Sequence, residues 1–371
     1  MNIVFRCDAS LQIGTGHVMR CLTLAEMLKN QGNECYFICR NHTGNLIDKI
    51  QQSGFQAYVI GINENNHIKE KALFNEDNTL FHADWLGATQ QQDAQDCLAI
   101  LGQLQVDWLI VDHYALDKTW QQLLKPYYKK LMVIDDLGDR EHLADLLLDQ
   151  NYGSTFEKYQ DLVPENCEVL AGCKVALLRP EFAMWRDFSL KRRKDDMEVK
   201  HIIITLGGVD PDNYTSKILE QLAKTKLSSQ VVITVVMGAT APHLQAVQQQ
   251  AAIMPVKTTV EVNVSNMAEL MSNADLAIGA AGATTWERCC LGLPTIQLIT
   301  AENQRQITED LAADYVIKLI ENISEITQLI TTIEHWLLPI VIRAQSITDG
   351  LGAERVVSNI LEGVSYDSRY S

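Results

Sequence analysis

RCDASLQIGTGHVMRCLTLAEML occupies residues 6–28. An apolar strand, Ile3–Cys7, ends there at Asp8, and a loop carrying Gly14 and Gly16 leads into an amphipathic helix. Val18, Cys21, Leu22, Ala25 and Leu28 recur at helical spacing, which predicts a helix from about Gly16 to Asn30, ended by Gly32. Backbone N–H groups at such a helix start favour anions, and the glycines let a ligand approach the backbone. His17 falls on the first turn. The positive end of the helix disfavours its protonation and leaves an imidazole able to accept a proton. A helix-capping histidine above a tight turn explains the same residues equally well. Gly14-x-Gly16 is followed by Met19 where a dinucleotide fingerprint has its third glycine, and the next strand ends in Cys39-Arg40-Asn41 without an acid for a ribose. NAD and FAD are therefore disfavoured, and no P-loop occurs.

Outward from this stretch, strands and helices alternate. Glu34–Cys39, Ala57–Ile60, Trp108–Val111 and Leu131–Ile134 read as strands, with a helix near Leu46–Ser53. Residues 61–95 are polar, and GINENNHIKE reads as a loop. A second alternation starts at His201, with strands at Ile202–Leu206, Val231–Val236, Thr258–Val262, Leu276–Gly279 and Thr295–Leu298. The fold class is α/β, with two doubly wound, Rossmann-like halves and a ligand cleft expected at the carboxyl ends of their sheets. The mixed charge of KRRKDDMEVK, residues 191–200, suits a solvated linker or helix end. The expected domains are 1–190, 201–335 and a helical segment 336–371 that crosses back onto the first.

Three further strand-to-helix turns are candidates for ligand contact. ADLAIGAAGATTWERCCLGLP, residues 274–294, puts Ala281, Gly282, Thr284 and Thr285 where a diphosphate could be cradled. Glu287 lies one turn in, within reach of both ribose hydroxyls. Thr284-x-x-Glu287 is also a capping box, in which the glutamate merely caps its own helix, and the motif taken alone favours that reading. TLGGVDPDN, residues 205–213, offers Gly207 and Gly208, and could be an ordinary turn. LITAENQRQ, residues 298–306, offers Glu302, Asn303 and Gln304 for the sugar, or an N-cap. In the first half, VDHYAL, residues 111–116, sets Asp112, His113 and Tyr114 at a strand end, as a site or as a simple turn. His42, His67, His82, His142, His201, His243 and His335 show no ligand spacing and read as surface or packing residues.

The 371 residues are 47% apolar and 21% charged, ordinary for two globular domains, and carry a net charge of −16. Such a surface repels phosphate backbones and anionic lipid, so neither nucleic acid nor a membrane is an expected partner. Nine scattered cysteines without a CxxC pair read as reduced, mostly buried thiols. The N-terminus opens into a strand without the pattern of a signal peptide, and no apolar run of about 18 residues occurs. A cytoplasmic monomer without metal or cofactor is expected.

Taken together the motifs resemble two families. GAAGATTWERCCLGLP (279–294) followed by AENQ (301–304) resembles the nucleotide-binding domain of the cell-wall N-acetylglucosaminyltransferase, which has the GT-B fold. RCDASLQIGTGHVMRCLTLA (6–25) closely resembles the UDP-sugar hydrolase of the pseudaminic-acid pathway. VDHYALDKTW (111–120), VIDDLGDR (133–140), LLRPEF (177–182), TLGGVDPDN, WERCCLGLP and DGLGAERV (349–356) are similar to that family in the same order. The resemblance implies hydrolysis of UDP-2,4-diacetamido-2,4,6-trideoxy-β-L-altropyranose to UDP and the free sugar. It implies His17 as general base and Glu287 as the ribose ligand. Asp8, Gly14, Gly16 and Tyr114 complete the expected site of the first half. A glycosyltransferase or a UDP-sugar 2-epimerase on the same fold, or a non-catalytic nucleotide-sugar sensor, are the alternatives. Residues 61–95 and the basic stretch near 191–194 match nothing in the family.

Overall fold

The computed structural model describes residues 1–61, 80–195 and 198–362. The loop reading of GINENNHIKE beyond Gly61, and His67 within it, lie outside the described residues. Two compact units emerge: Met1–Leu177 together with the segment from Ala353, and Leu178–Gly352.

In the first unit β1 (Asn2–Cys7), β2 (Glu34–Arg40), β3 (Gln56–Ile60), β4 (Val106–Asp112), β5 (Tyr128–Ile134), β6 (Leu146–Asp149) and β7 (Glu168–Ala171) form one sheet ordered 3-2-1-4-5-6-7. Every ladder is parallel. Both faces are covered, as a parallel sheet requires: Ile3, Phe5 and Cys7 enter one core and Val4 the other. The helix Gly16–Asn30 buries Val18, Cys21, Leu22, Ala25 and Leu28 against the first of these cores. Such apolar side chains contribute about 1.5–3 kcal/mol each when fully buried. Gly32, with φ +80°, reverses the chain after the helix, a conformation that a side chain would strain.

The second unit repeats the plan with β8 (His201–Thr205), β9 (Val232–Met237), β10 (Lys257–Val262), β11 (Leu276–Ala280), β12 (Thr295–Leu298) and β13 (Lys318–Ile320), ordered 10-9-8-11-12-13 and all parallel. In both sheets the order reverses about the first strand, between β1 and β4 and between β8 and β11. Ligands of doubly wound folds bind at that switch point, beyond the carboxyl ends of the strands.

The division differs from the sequence expectation. It falls after Leu177, not between 190 and 201, and the helix Pro180–Asp195 belongs to the second unit. Its basic end is the helix end that one of the two readings gave, with Lys191 and Lys194 exposed. Arg193 is buried and donates to the carbonyls of Ala274 at 2.7 Å, Met271 at 3.0 Å and Leu291 at 3.1 Å. Two of these carbonyls lie at the end of the helix Met267–Asn273 and the third at the C-cap of the helix Thr284–Cys290, so one guanidinium ties two helix ends together. The helix Leu337–Ile347 also stays in the second unit. Only the last helix, Gly352–Glu362, joins the first, placing Ala353, Val356, Val357 and Ile360 in its core.

Candidate active site

One group of candidate residues grows from the switch point of the first sheet. β1 and β4 are paired with Cys7 opposite Asp112, so the loop after β1 and the residues after β4 emerge side by side. Ser10 accepts from Gly14 N at 2.9 Å through its carbonyl and from Ile13 N at 2.9 Å through its hydroxyl, which folds the loop into a tight turn. Gly14 has φ +80°, and a Cβ on Gly14 or Gly16 would meet nothing within 4 Å, so both face open space. The helix start has Thr15 at its N-cap, no side-chain cap and no acid in its first turn.

His17 does not cap this helix. Its Nδ1 lies 2.5 Å from Asp112 Oδ1. Arg20, one turn further on, grips the same carboxylate with two bonds, Nε to Oδ2 at 2.6 Å and Nη2 to Oδ1 at 2.7 Å. Burial opposes ionisation of Asp112, but Arg20 and His17 outweigh it and hold the carboxyl well below its usual range. An ionised Asp112 only accepts, so His17 Nδ1 carries the proton and Nε2 is left as the basic nitrogen. Arg20 Nη1 also reaches Asp136 Oδ2 at 3.1 Å, and Tyr114 donates its hydroxyl to Asp136 Oδ1 at 2.5 Å. The Tyr114 ring stands edge-on to His17, with centroids 4.7 Å apart. Burial and the Asp136 charge push the phenol well above its ordinary pKa, so it remains a donor.

Asp8 is a correction. It is fully buried, accepts from Arg40 N at 2.7 Å and pairs with Arg6 Nη1 at 2.7 Å. Arg6 in turn is tied to Asp93 at 2.7 Å. Asp8 therefore belongs to an internal ion network beneath the loop, with no exposed surface for a ligand. Arg6 and Asp8 share one face of the strand, two residues apart. His113 Nδ1 accepts from Ala115 N at 3.0 Å, so its Nε2 is a donor, 3.4 Å from Asp8 Oδ2.

In the second unit β8 and β11 are adjacent, with Gly279 opposite Thr205, so the Gly207–Gly208 and Ala281–Gly282 turns leave the sheet together. Gly282 has φ +123°, a region reserved for glycine, and a Cβ there would sit 3.4 Å from Gln304 Nε2. The short helix Thr284–Cys290 has Ala283 at its N-cap and no side-chain cap, so the capping box does not form. Glu287 faces Arg179 instead, at 3.8 Å. Burial pushes its carboxyl up to about 7 against the pull of Arg179. Two neighbours already have partners within the protein. Thr285 is buried, and its hydroxyl is engaged by Gln297 at 3.0 Å and Arg288 at 3.2 Å. Ala281 gives its N–H to Leu298 O at 3.0 Å. Thr284 keeps a shared hydroxyl, 3.2 Å from Arg288 Nη1.

The Gly207–Gly208 turn is open, but the helix after it is already capped. Asp210 accepts from Tyr214 N at 3.0 Å and Thr215 N at 2.8 Å. Its carboxylate occupies the place an anion would take. Glu302 is exposed and pairs with Arg305 at 2.8 Å, while Gln304 Oε1 is buried without a hydrogen-bond partner near Gly282. The Asn303 side chain lies outside the described residues.

This architecture is the GT-B fold, built from two Rossmann-like domains. Residues 201–345 match the glycosyltransferase family 28 C-terminal domain. Acinetobacter baumannii MurG shares the fold, with a TM-score of 0.68 over 97% of this chain and 99% of that one, at 16% identity. Among relatives in sequence, the chain is 27% identical over 315 residues to the Campylobacter jejuni UDP-2,4-diacetamido-2,4,6-trideoxy-β-L-altropyranose hydrolase, covering 84% of this chain and 96% of that protein. It is 29% identical over 318 residues to an uncharacterized protein of Methanocaldococcus jannaschii, covering 84% of this chain. The chain spans only 58% of the length of that archaeal protein.

Proposed function

We propose that this protein hydrolyses a UDP-sugar, specifically UDP-2,4-diacetamido-2,4,6-trideoxy-β-L-altropyranose, to UDP and the free sugar. The observation that carries the reading is the His17–Asp112 pair at an uncapped helix start. Asp112 fixes the tautomer, and His17 Nε2 takes a proton from water as its oxygen bonds to the anomeric carbon. The bond from that carbon to the UDP oxygen breaks, and UDP leaves with the electron pair, inverting the centre. UDP is a stable leaving group, so fixed N–H dipoles suffice for its developing charge. The Gly282–Thr284 turn supplies them, and Glu287 accepts from the ribose hydroxyls. The reaction needs neither metal nor cofactor, and the enzyme acts as a cytoplasmic monomer on a small molecule.

The similarity to the Campylobacter hydrolase supports this substrate. The family 28 match favours one other reading, a glycosyltransferase, which would release UDP only with an acceptor present. A UDP-sugar 2-epimerase would expel UDP only transiently, and a nucleotide-sugar sensor would have no use for an oriented base. Incubating the protein with the UDP-sugar and no acceptor separates these. Steady UDP release is expected. Release that requires an acceptor would replace the hydrolase with a transferase.

A further inference from the structure

The aromatic side chains beside His17 extend further than the residues described so far. His82 packs on Tyr114 with ring centroids 5.3 Å apart, Trp85 lies 5.7 Å from Tyr114, and His82 and Trp85 are 4.2 Å apart. Phe81 stands edge-on to His82 at 4.9 Å and is 89% exposed. With the Tyr114–His17 contact, one continuous row runs from Phe81 to the base. The row is not core: His82 and Trp85 are only half-buried. Its position is fixed from below. Leu86 is buried in the second core of its unit, and Gly87, with φ +69°, turns the chain where a Cβ would strike His42 Cε1 at 2.9 Å. Arg140 lies over the Tyr114 ring at 5.9 Å. Burial lowers the His82 pKa, so the ring beside the base is neutral.

We infer that His82, Trp85 and Tyr114 form the sugar subsite, with the Trp85 and His82 rings receiving the C–H face and methyl groups of the glycosyl unit. This rests on the proposed function. The water activated by His17 attacks the anomeric carbon, so the ring bearing that carbon must lie beside His17. Aromatic faces carry partial negative charge and favour polarised C–H groups. A trideoxy, diacetamido sugar presents three methyl groups, more apolar surface than a common hexose. Asp136 keeps the Tyr114 hydroxyl donating inward, so Tyr114 offers this sugar its ring. Residues 82–85 are therefore specificity-determining, and they lie in the segment without a counterpart in the resemblance.

Binding is measured by calorimetry in the His17→Leu background, where the substrate is not consumed, with UDP and with the UDP-sugar as probes. Trp85→Ala is expected to weaken the UDP-sugar about tenfold, equivalent to about 1.4 kcal/mol, and to leave UDP within about twofold. Trp85→Phe should restore most of the loss, and thermal melting of each variant shows whether it folds. Three outcomes would overturn the proposal: unchanged UDP-sugar affinity in Trp85→Ala, equal weakening of UDP and UDP-sugar, or a parent protein that binds both equally. The second would place the uracil on the row. Because no turnover is read, a protein that failed to hydrolyse the sugar would defeat the proposed function without deciding this one.

Discussion

At the scale of single residues, His17 and Glu287 carry separable tasks. His17→Leu should keep UDP affinity and lose about 10²–10⁴ in kcat, the usual contribution of a general base. Asp112→Asn should lose rate over a similar range by releasing the tautomer, with Arg20 left to Asp136 alone. Near-normal turnover by His17→Leu would remove it from the chemistry. Glu287 gives a pH signature. Its folded pKa of about 7 lies above the ordinary 4.5, so the folded chain holds the proton longer than the unfolded chain. Stability should therefore fall as pH rises from about 4.5 through about 7, by linkage. UDP affinity should move the other way between pH 6 and 8, because the ribose hydroxyls need a carboxylate to donate to. Glu287→Gln should flatten both trends and cost about 1.5–3 kcal/mol of UDP binding at pH 8. Urea unfolding and titration calorimetry across pH read the two. If stability changes and affinity does not, Glu287 is a structural residue.

Elements decide which turns are free for a ligand. Among the candidate turns, the helix starts at Thr15, Ala283 and Gln304 lack side-chain caps, whereas the helix Tyr214–Lys224 is capped by Asp210 and Asn213. Asp210→Ala should lower stability by about 0.5–2 kcal/mol, as cap loss does, with UDP affinity unchanged. A matching drop in UDP affinity, seen by calorimetry, would bring the Gly207–Gly208 turn into the site. The sequence shows the same strand–glycine–helix pattern in all these turns. It cannot tell which carboxylate turns back onto its own helix. Arg20 carried a signal, at i+3 from His17, but a charged residue on an amphipathic helix equally suits solvent. Asp136 likewise stood in the VIDDLGDR motif, legible as a strand end and silent about its partner. Asp8 misled because a strand-end acid reads as a ligand contact. Its pairing with Arg6 two residues earlier was the available warning.

Over the whole molecule, long periodic segments were the most legible. The helix Gly16–Asn30 falls where hydrophobic spacing put it. β6 and β7 were not foreseen because no α-helix separates β5, β6 and β7 to mark a strand–helix–strand rhythm, and the three residues of β13 are too few to show a period. The boundary near 191–200 differs for another reason: its charge marks a solvated helix end, and the two units divide before that helix begins. All nine cysteines are free and buried, where their scatter implied that most would be buried. Among the described residues no helix is long and apolar enough to cross a membrane. Activity should survive exhaustive chelation, since the proposed chemistry places all charge on protein groups. Loss with EDTA that magnesium or manganese restores would give the diphosphate charge to a metal.

The bond that breaks tests the role of His17 most directly. Water could attack the anomeric carbon or the phosphorus. Attack at phosphorus calls for a metal or an arginine clamp on its oxygens, and an oriented imidazole alone suits attack at carbon. The reaction is run in oxygen-18 water and the products are weighed by mass spectrometry at early times, before exchange at the anomeric hydroxyl. Attack at carbon places the label in the sugar's anomeric hydroxyl and leaves UDP unlabelled. Label in UDP would mean that phosphorus was attacked, and that His17 is not the base for water at the anomeric centre.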